Sequence, residues 1–123
     1  MSQVCWYLYM LEIHTEDLRP GVVLIRLDGK LMMGPESASL ESLIARLIDS
    51  GARHLIFDLS TLHQIDSTGI GRFISTFNRL LPLSGSLAMA AATPIVRKGF
   101  RVTRLDTVFR FYDTTADAIA ALP

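Results

Sequence analysis

Residues 54–73 read HLIFDLSTLHQIDSTGIGRF. The stretch opens on HLIFDL, a short and nearly unbroken apolar run. A strand that is apolar at successive positions has both faces covered, which is the habit of a central strand in a parallel sheet. The stretch closes on the start of a helix, because Ile70, Phe73, Ile74, Phe77, Leu80 and Leu81 keep helical spacing until Pro82 ends the run. Between the two lie Asp66, Ser67, Thr68, Gly69 and Gly71. A polar turn past the carboxyl end of a buried strand is the usual functional edge of an α/β sheet. Ser67 is expected to be the N-cap of the helix, its hydroxyl accepting from a first-turn amide, so that its truncation would cost ~0.5–2 kcal/mol. Gly69 and Gly71 are poor helix formers. Their position predicts that bulk is unwelcome there and that a partner or a ligand approaches the backbone closely.

Working outward, the chain alternates strand and helix. Residues 5–13 (CWYLYMLEI) read as a first strand, LRPG at 18–21 as a turn, and VVLIRLDG at 22–29 as a second strand, spaced for an antiparallel hairpin. Leu40, Leu43, Ile44, Leu47 and Ile48 mark a helix, with Pro35 suited to its first turn and Gly51 to its stop. Downstream of the central helix, SLAMAAA at 86–92 is a further buried strand, and Pro94 opens a helix running to about Leu105. VFRFY at 108–112 is a strand. Thr114 with Asp117 resembles the capping box of a short final helix. The order predicts a single α/β domain over residues 1–123: a mostly parallel sheet of about five strands, an antiparallel first strand and about four helices.

The totals narrow the function. A chain of 123 residues that is 50% apolar can bury a core without disulfides, and Cys5 is its only cysteine. That pattern predicts a reducing, cytoplasmic home. Residues 4–11 are too short an apolar stretch to span a bilayer and lack the flanks of a signal peptide. The formal net charge of +0 argues against a surface tuned to nucleic acid or to anionic membrane. The charge is uneven, however: residues 1–66 hold nine acids and five bases, and residues 67–123 hold three acids and seven bases. Arg97, Lys98, Arg101 and Arg104 form a basic cluster, read first as a solvated helix face and second as a contact for an acidic partner.

A phosphate on Ser67 would add roughly −1.5 to −2 charges. The positive end of a helix dipole tolerates an anion, by ~0.3–1 kcal/mol, whereas Asp66 repels it. The fold would survive, and a partner pressed against the same surface would meet new charge and bulk. A small domain can thereby switch an interaction without catalysing anything itself.

From Gly21 to Leu122 the chain resembles a STAS domain, in particular the anti-sigma factor antagonists. The matching segments are GVVLIRLDGKL, SGARHLIFDLS, IDSTGIG, SGSLAMA and KGFRVTRLDTVFRFYDTTADAIAAL. DSTGIG is the most specific, fitting a family pattern of Asp-Ser-Ser/Thr/Ala-Gly-aliphatic-Gly. The resemblance implies a binding module, not an enzyme, with no cofactor and no metal. It implies Ser67 as phosphoacceptor, with Asp66, Thr68, Gly69 and Ile70 beside it on a docking surface and Asp58 and Ser60 nearby. The implied partners are an anti-sigma factor with serine kinase activity, bound when Ser67 is unphosphorylated, and a PP2C-type phosphatase, with homo-oligomers also possible for the fold. Two departures stand out. Met32 follows Leu31 where many relatives carry an acid, and Ser84-Gly85-Ser86 replaces a frequent pair of glycines.

Three other readings share part of this pattern. A receiver domain would use Asp58, but it needs an acidic pair at a parallel strand end to hold magnesium, and a lysine after its last strand. A serine hydrolase would pair Ser67 with His14, His54 or His63, but QIDST is not the Gly-x-Ser-x-Gly elbow. A non-switching STAS scaffold or accessory subunit, of a stress-signalling assembly or of a transporter, shares the fold, so fold alone does not separate it from a switch.

Overall fold

The structure, a computed structural model, describes residues 11–123. β1 (Leu11–Arg19) and β2 (Val22–Leu31) pair antiparallel around a tight turn at Pro20-Gly21. The hairpin is as expected, but its bounds are not. β1 runs on to Arg19, and β2 continues through Gly29 to Leu31. The part of the expected first strand before Leu11, with Cys5, Trp6, Tyr7 and Tyr9, lies outside the described residues.

α1 (Pro35–Asp49) leads to β3 (His54–Asp58), α2 (Ser67–Leu80) to β5 (Ser86–Ala90), and α3 (Pro94–Val102) to β6 (Arg110–Tyr112). β2, β3, β5 and β6 are hydrogen-bonded in that order, all parallel. Each new strand is added on the same side of the last. Right-handed crossovers therefore place α1, α2 and α3 on one face of the sheet. They bury a core of Ile25, Leu27, Leu55, Phe57 and Met89 from the sheet against Leu40, Ile44, Phe73, Leu80, Val96 and Phe100 from the helices. An edge-to-face aromatic chain ties the layers together: Phe73 meets Phe57 at 4.9 Å and Phe100 at 5.6 Å, and Phe100 meets Phe111 at 5.3 Å. Among the described residues the other face carries one helix, α4 (Thr115–Ala120), whose Ala118 packs on Ile56, Ala88 and Ala90. The Thr114 hydroxyl accepts from the Asp117 amide at 3.0 Å, as the capping reading predicts.

The sheet of the described residues has six strands, one more than expected. β4 (Leu62–Ile65) pairs with Gly29–Leu31 of β2 beyond the point where β3 ends. Its pattern of one buried, two exposed and one half-buried residue is too short to stand out in a sequence. α3 also stops at Val102, short of Leu105, and Leu105–Thr107 form a separate 3-10 turn.

Candidate functional site

β4 delivers the chain to α2, and Asp66 makes the junction. One carboxylate oxygen accepts from the Gly69 amide at 2.9 Å, which makes Asp66 the N-cap of α2. The other accepts from the Met33 amide at 2.9 Å, binding the segment after β2 to the helix start. Partial burial pushes the Asp66 carboxyl up. Hydrogen bonds from the backbone of Gly69, Met33, Thr68 and Asp66 itself outweigh it and hold the group below the usual carboxylate range.

This corrects the capping role expected of Ser67. Ser67 is the first residue of the helix proper, and its side chain caps nothing. The residue is exposed, and its hydroxyl makes no hydrogen bond among the described residues. Asp and Ser are equally good N-caps, so the sequence DST could not choose between them.

Gly69 also differs from expectation. A Cβ there would sit 2.4 Å from the Leu31 carbonyl oxygen and 2.7 Å from the Ile65 side chain. The glycine is required by the molecule's own packing, not by a visitor. A Cβ at Gly71 would meet nothing within 4 Å, so there the backbone does face open space.

The residues expected around Ser67 separate into groups. Asp66 and Thr68 are half-buried beside it, whereas Gly69 and Ile70 are buried and face the core, so they offer no docking surface. Ser60 is exposed in the turn between β3 and β4, with its amide on the Asp58 carboxylate at 3.0 Å. Asp58 itself alternates with Phe57 and shares the opposite face of the sheet with Ile56, away from α2. It is therefore not part of the Ser67 surface. The three histidines are elsewhere too. The His54 ring is bonded to the Ser86 hydroxyl at 2.6 Å, at the amino ends of β3 and β5. His14 lies between Glu12 and Asp28 at 3.0 and 3.2 Å, and His63 is exposed on β4.

Other residues complete the surface that Ser67 shares. Positions 67, 71, 74, 78 and 81 follow one stripe of α2 and its continuation, and Ile74 and Leu81 are 37% and 55% exposed. Both belong to the apolar helical spacing of the segment, yet they face outward. Met33, whose amide Asp66 holds, is 79% exposed, and Ile95 at the start of α3 is 64% exposed. An unmodified hydroxyl with large apolar side chains around it is a surface suited to a protein partner. α2 is braced from the other side: the Arg72 guanidinium donates to the buried Ser37 hydroxyl at 2.7 Å and pairs with Glu41, linking it to α1.

Comparison with known proteins bears on this surface. Residues 16–118 match the family model described as the STAS domain. The protein named "Putative anti-sigma factor antagonist BtrV" of Bordetella bronchiseptica is 26% identical over 107 residues, covering 87% of this chain and 91% of that protein. High affinity sulfate transporter 1 of Stylosanthes hamata is 27% identical over 114 residues, 82% of this chain, but the chain spans only 17% of that transporter's length. Among solved structures, the anti-sigma factor antagonist SpoIIAA in its unphosphorylated form superposes with a TM-score of 0.78 at 25% identity, covering 88% of this chain and 93% of that one. Among the described residues no helix is long and apolar enough to cross a membrane.

Proposed function

The chain belongs to the STAS domain family, and from that premise we propose that it is an anti-sigma factor antagonist working as a phospho-switched binding module. Unphosphorylated, the Ser67 face docks an anti-sigma factor that is also a serine kinase. Phosphorylated, it releases it, and a PP2C-type phosphatase resets it in the cytoplasm. The observation that carries this reading is the Ser67 hydroxyl itself, exposed and unbonded at the first position of α2. A transferase can reach it, and no internal contact is lost when it is esterified. SpoIIAA, at 25% identity, is a protein whose unphosphorylated form was distinguished by name, and it too is an anti-sigma factor antagonist.

The geometry explains how one phosphate could reverse binding while leaving the fold intact. The new charge sits at the positive end of the α2 dipole, which offsets part of its cost. It also sits next to the Asp66 carboxylate, whose ionised form the backbone already favours. The partner therefore meets a doubled anionic spot beside Met33, Ile74 and Ile95, where burial of apolar surface would otherwise drive docking.

The test is to purify the chain with its bound partners, identify an anti-sigma kinase among them, and incubate the pair with ATP. The expected outcome is a single phosphate on Ser67. Ser67→Asp should bind that kinase at least about tenfold more weakly than Ser67→Ala, a difference of ~1.4 kcal/mol. Equal affinities with no modification at Ser67 would support instead a non-switching scaffold, the reading that the transporter relatives suggest.

A further inference from the structure

We propose that the groove between α3 and the outer edge of β6 is a second docking site, which takes an extended acidic segment of a partner protein. Among the described residues β6 is the last strand of the sheet and is paired with β5 alone. Among the described residues its other edge leaves a row of backbone donors and acceptors unpaired, which is what an incoming strand completes. Beside that edge lies a groove of about 640 Å³, walled by Arg97 and Arg101 of α3, by Asp106 and Val108 of the preceding turn, and by Arg110 and Phe111 of β6, so three bases and one acid line it.

Its charge selects the occupant. Residues 97–113 hold five bases (Arg97, Lys98, Arg101, Arg104, Arg110) and two acids (Asp106, Asp113). Arg97 lies over the Phe111 ring at 5.5 Å, so its planar group is held facing the groove. Its ion-pair partner among the described residues, Asp113, is 3.6 Å away and 91% exposed, a contact weak enough for a better-placed carboxylate to replace. Arg101 and Arg110 are exposed and make no ion pair among the described residues. Phe111 packs toward the helix-covered core while Arg110 and Tyr112 alternate to the other face. Side chains of an added strand would alternate in the same way. Acids on one of its faces would meet Arg97 and Arg101, and acids on the other would meet Arg110.

This site stands apart from the Ser67 face and does not rest on the phospho-switch reading. α3 separates the two: on its opposite flank a Cβ added at Gly99 would meet the Ile65 and Ile70 side chains at 3.5 and 3.6 Å.

The probe is an octapeptide of repeating Glu-Glu-Val-Val, which places glutamates on both faces of an extended strand, titrated into the full chain labelled with nitrogen-15. Saturable shifts are expected at the amides of residues 108–112, with affinity falling as salt rises from ~50 to ~500 mM. Both Arg97→Glu/Arg101→Glu and Arg101→Glu/Arg110→Glu should lose about tenfold or more in affinity, and the second pair leaves the Arg97–Phe111 contact untouched. Arg46→Glu/Arg79→Glu, which makes the same change in net charge on α1 and α2, should bind as the parent does. A peptide N-methylated at alternate residues should bind poorly, because it cannot pair with the edge. Absent shifts at 108–112, equal binding by the arginine variants, or full reproduction of the shifts by inorganic phosphate would each overturn the proposal.

Discussion

Both oxygens of Asp66 are committed, one to Gly69 and one to Met33, so its ionised form is favoured by folding. The stability this contributes is present above the unfolded-state pKa and is lost as the pH falls through the lower folded-state value, which puts the loss below about pH 4. Asp66→Asn keeps a capping oxygen but cannot titrate. Its acid-unfolding curve should be shallower below that pH than the parent's, and identical slopes would remove Asp66 from the acid limb. Ser67 carries no such burden, so Ser67→Ala should change urea stability by less than ~0.5 kcal/mol. A larger loss would restore its capping role. At Gly69 the expectation is opposite. Gly69→Ala forces a methyl against the Leu31 carbonyl, and a destabilisation of roughly 1–3 kcal/mol should appear in the same assay. These three neighbours look alike as turn residues in a sequence. What distinguishes them is the position of Leu31, 35 to 38 residues earlier in the chain.

At the scale of elements, α2 is held by its buried stripe and by its brace to α1. Phe73 is 1% exposed and touches aromatic rings of both β3 and α3. Phe73→Ala should cost about 3–5 kcal/mol, against a typical total of ~5–15 kcal/mol for a domain. Retention of the parental melting temperature would show that α2 is not seated as described. The helix was legible from its period, and so were the hairpin, α1, β3 and β5, because each has a long apolar pattern of one kind. Period gave no warning that Ile74 and Leu81 face outward. A helix of this length has more apolar residues than its neighbours can cover, and the arrangement of α1 and α3 decides which are left over. β4 was missed for a related reason. Four residues with two exposed side chains carry no pattern of their own, and they become a strand only because β2 extends past β3 and offers an edge.

For the whole molecule, strand order sets a gradient of stability. Among the described residues, β3 is paired on both sides by β2 and β5, and β5 by β3 and β6, while β6 has one neighbour and three residues. Native-state hydrogen exchange should find the slowest amides at 55–57 and 87–89 and faster exchange at 110–112. Uniform protection across the sheet would contradict that order. The same topology gathers the two proposed contact surfaces on either flank of α3, one centred on Ser67 and one on the β6 edge. From its amino acids alone, the chain determined its class, its alternation of strands and helices, and the motif around Ser67, because periodicity and turn chemistry act over a few residues at a time. Tertiary structure alone decided that Asp66 rather than Ser67 caps α2, that Gly69 and Ile70 face inward while Met33 and Ile74 face out, and that Asp58 stands on the far side of the sheet. Each of these depends on a contact or a face set by residues distant in sequence, and no local pattern encodes which distant group will arrive.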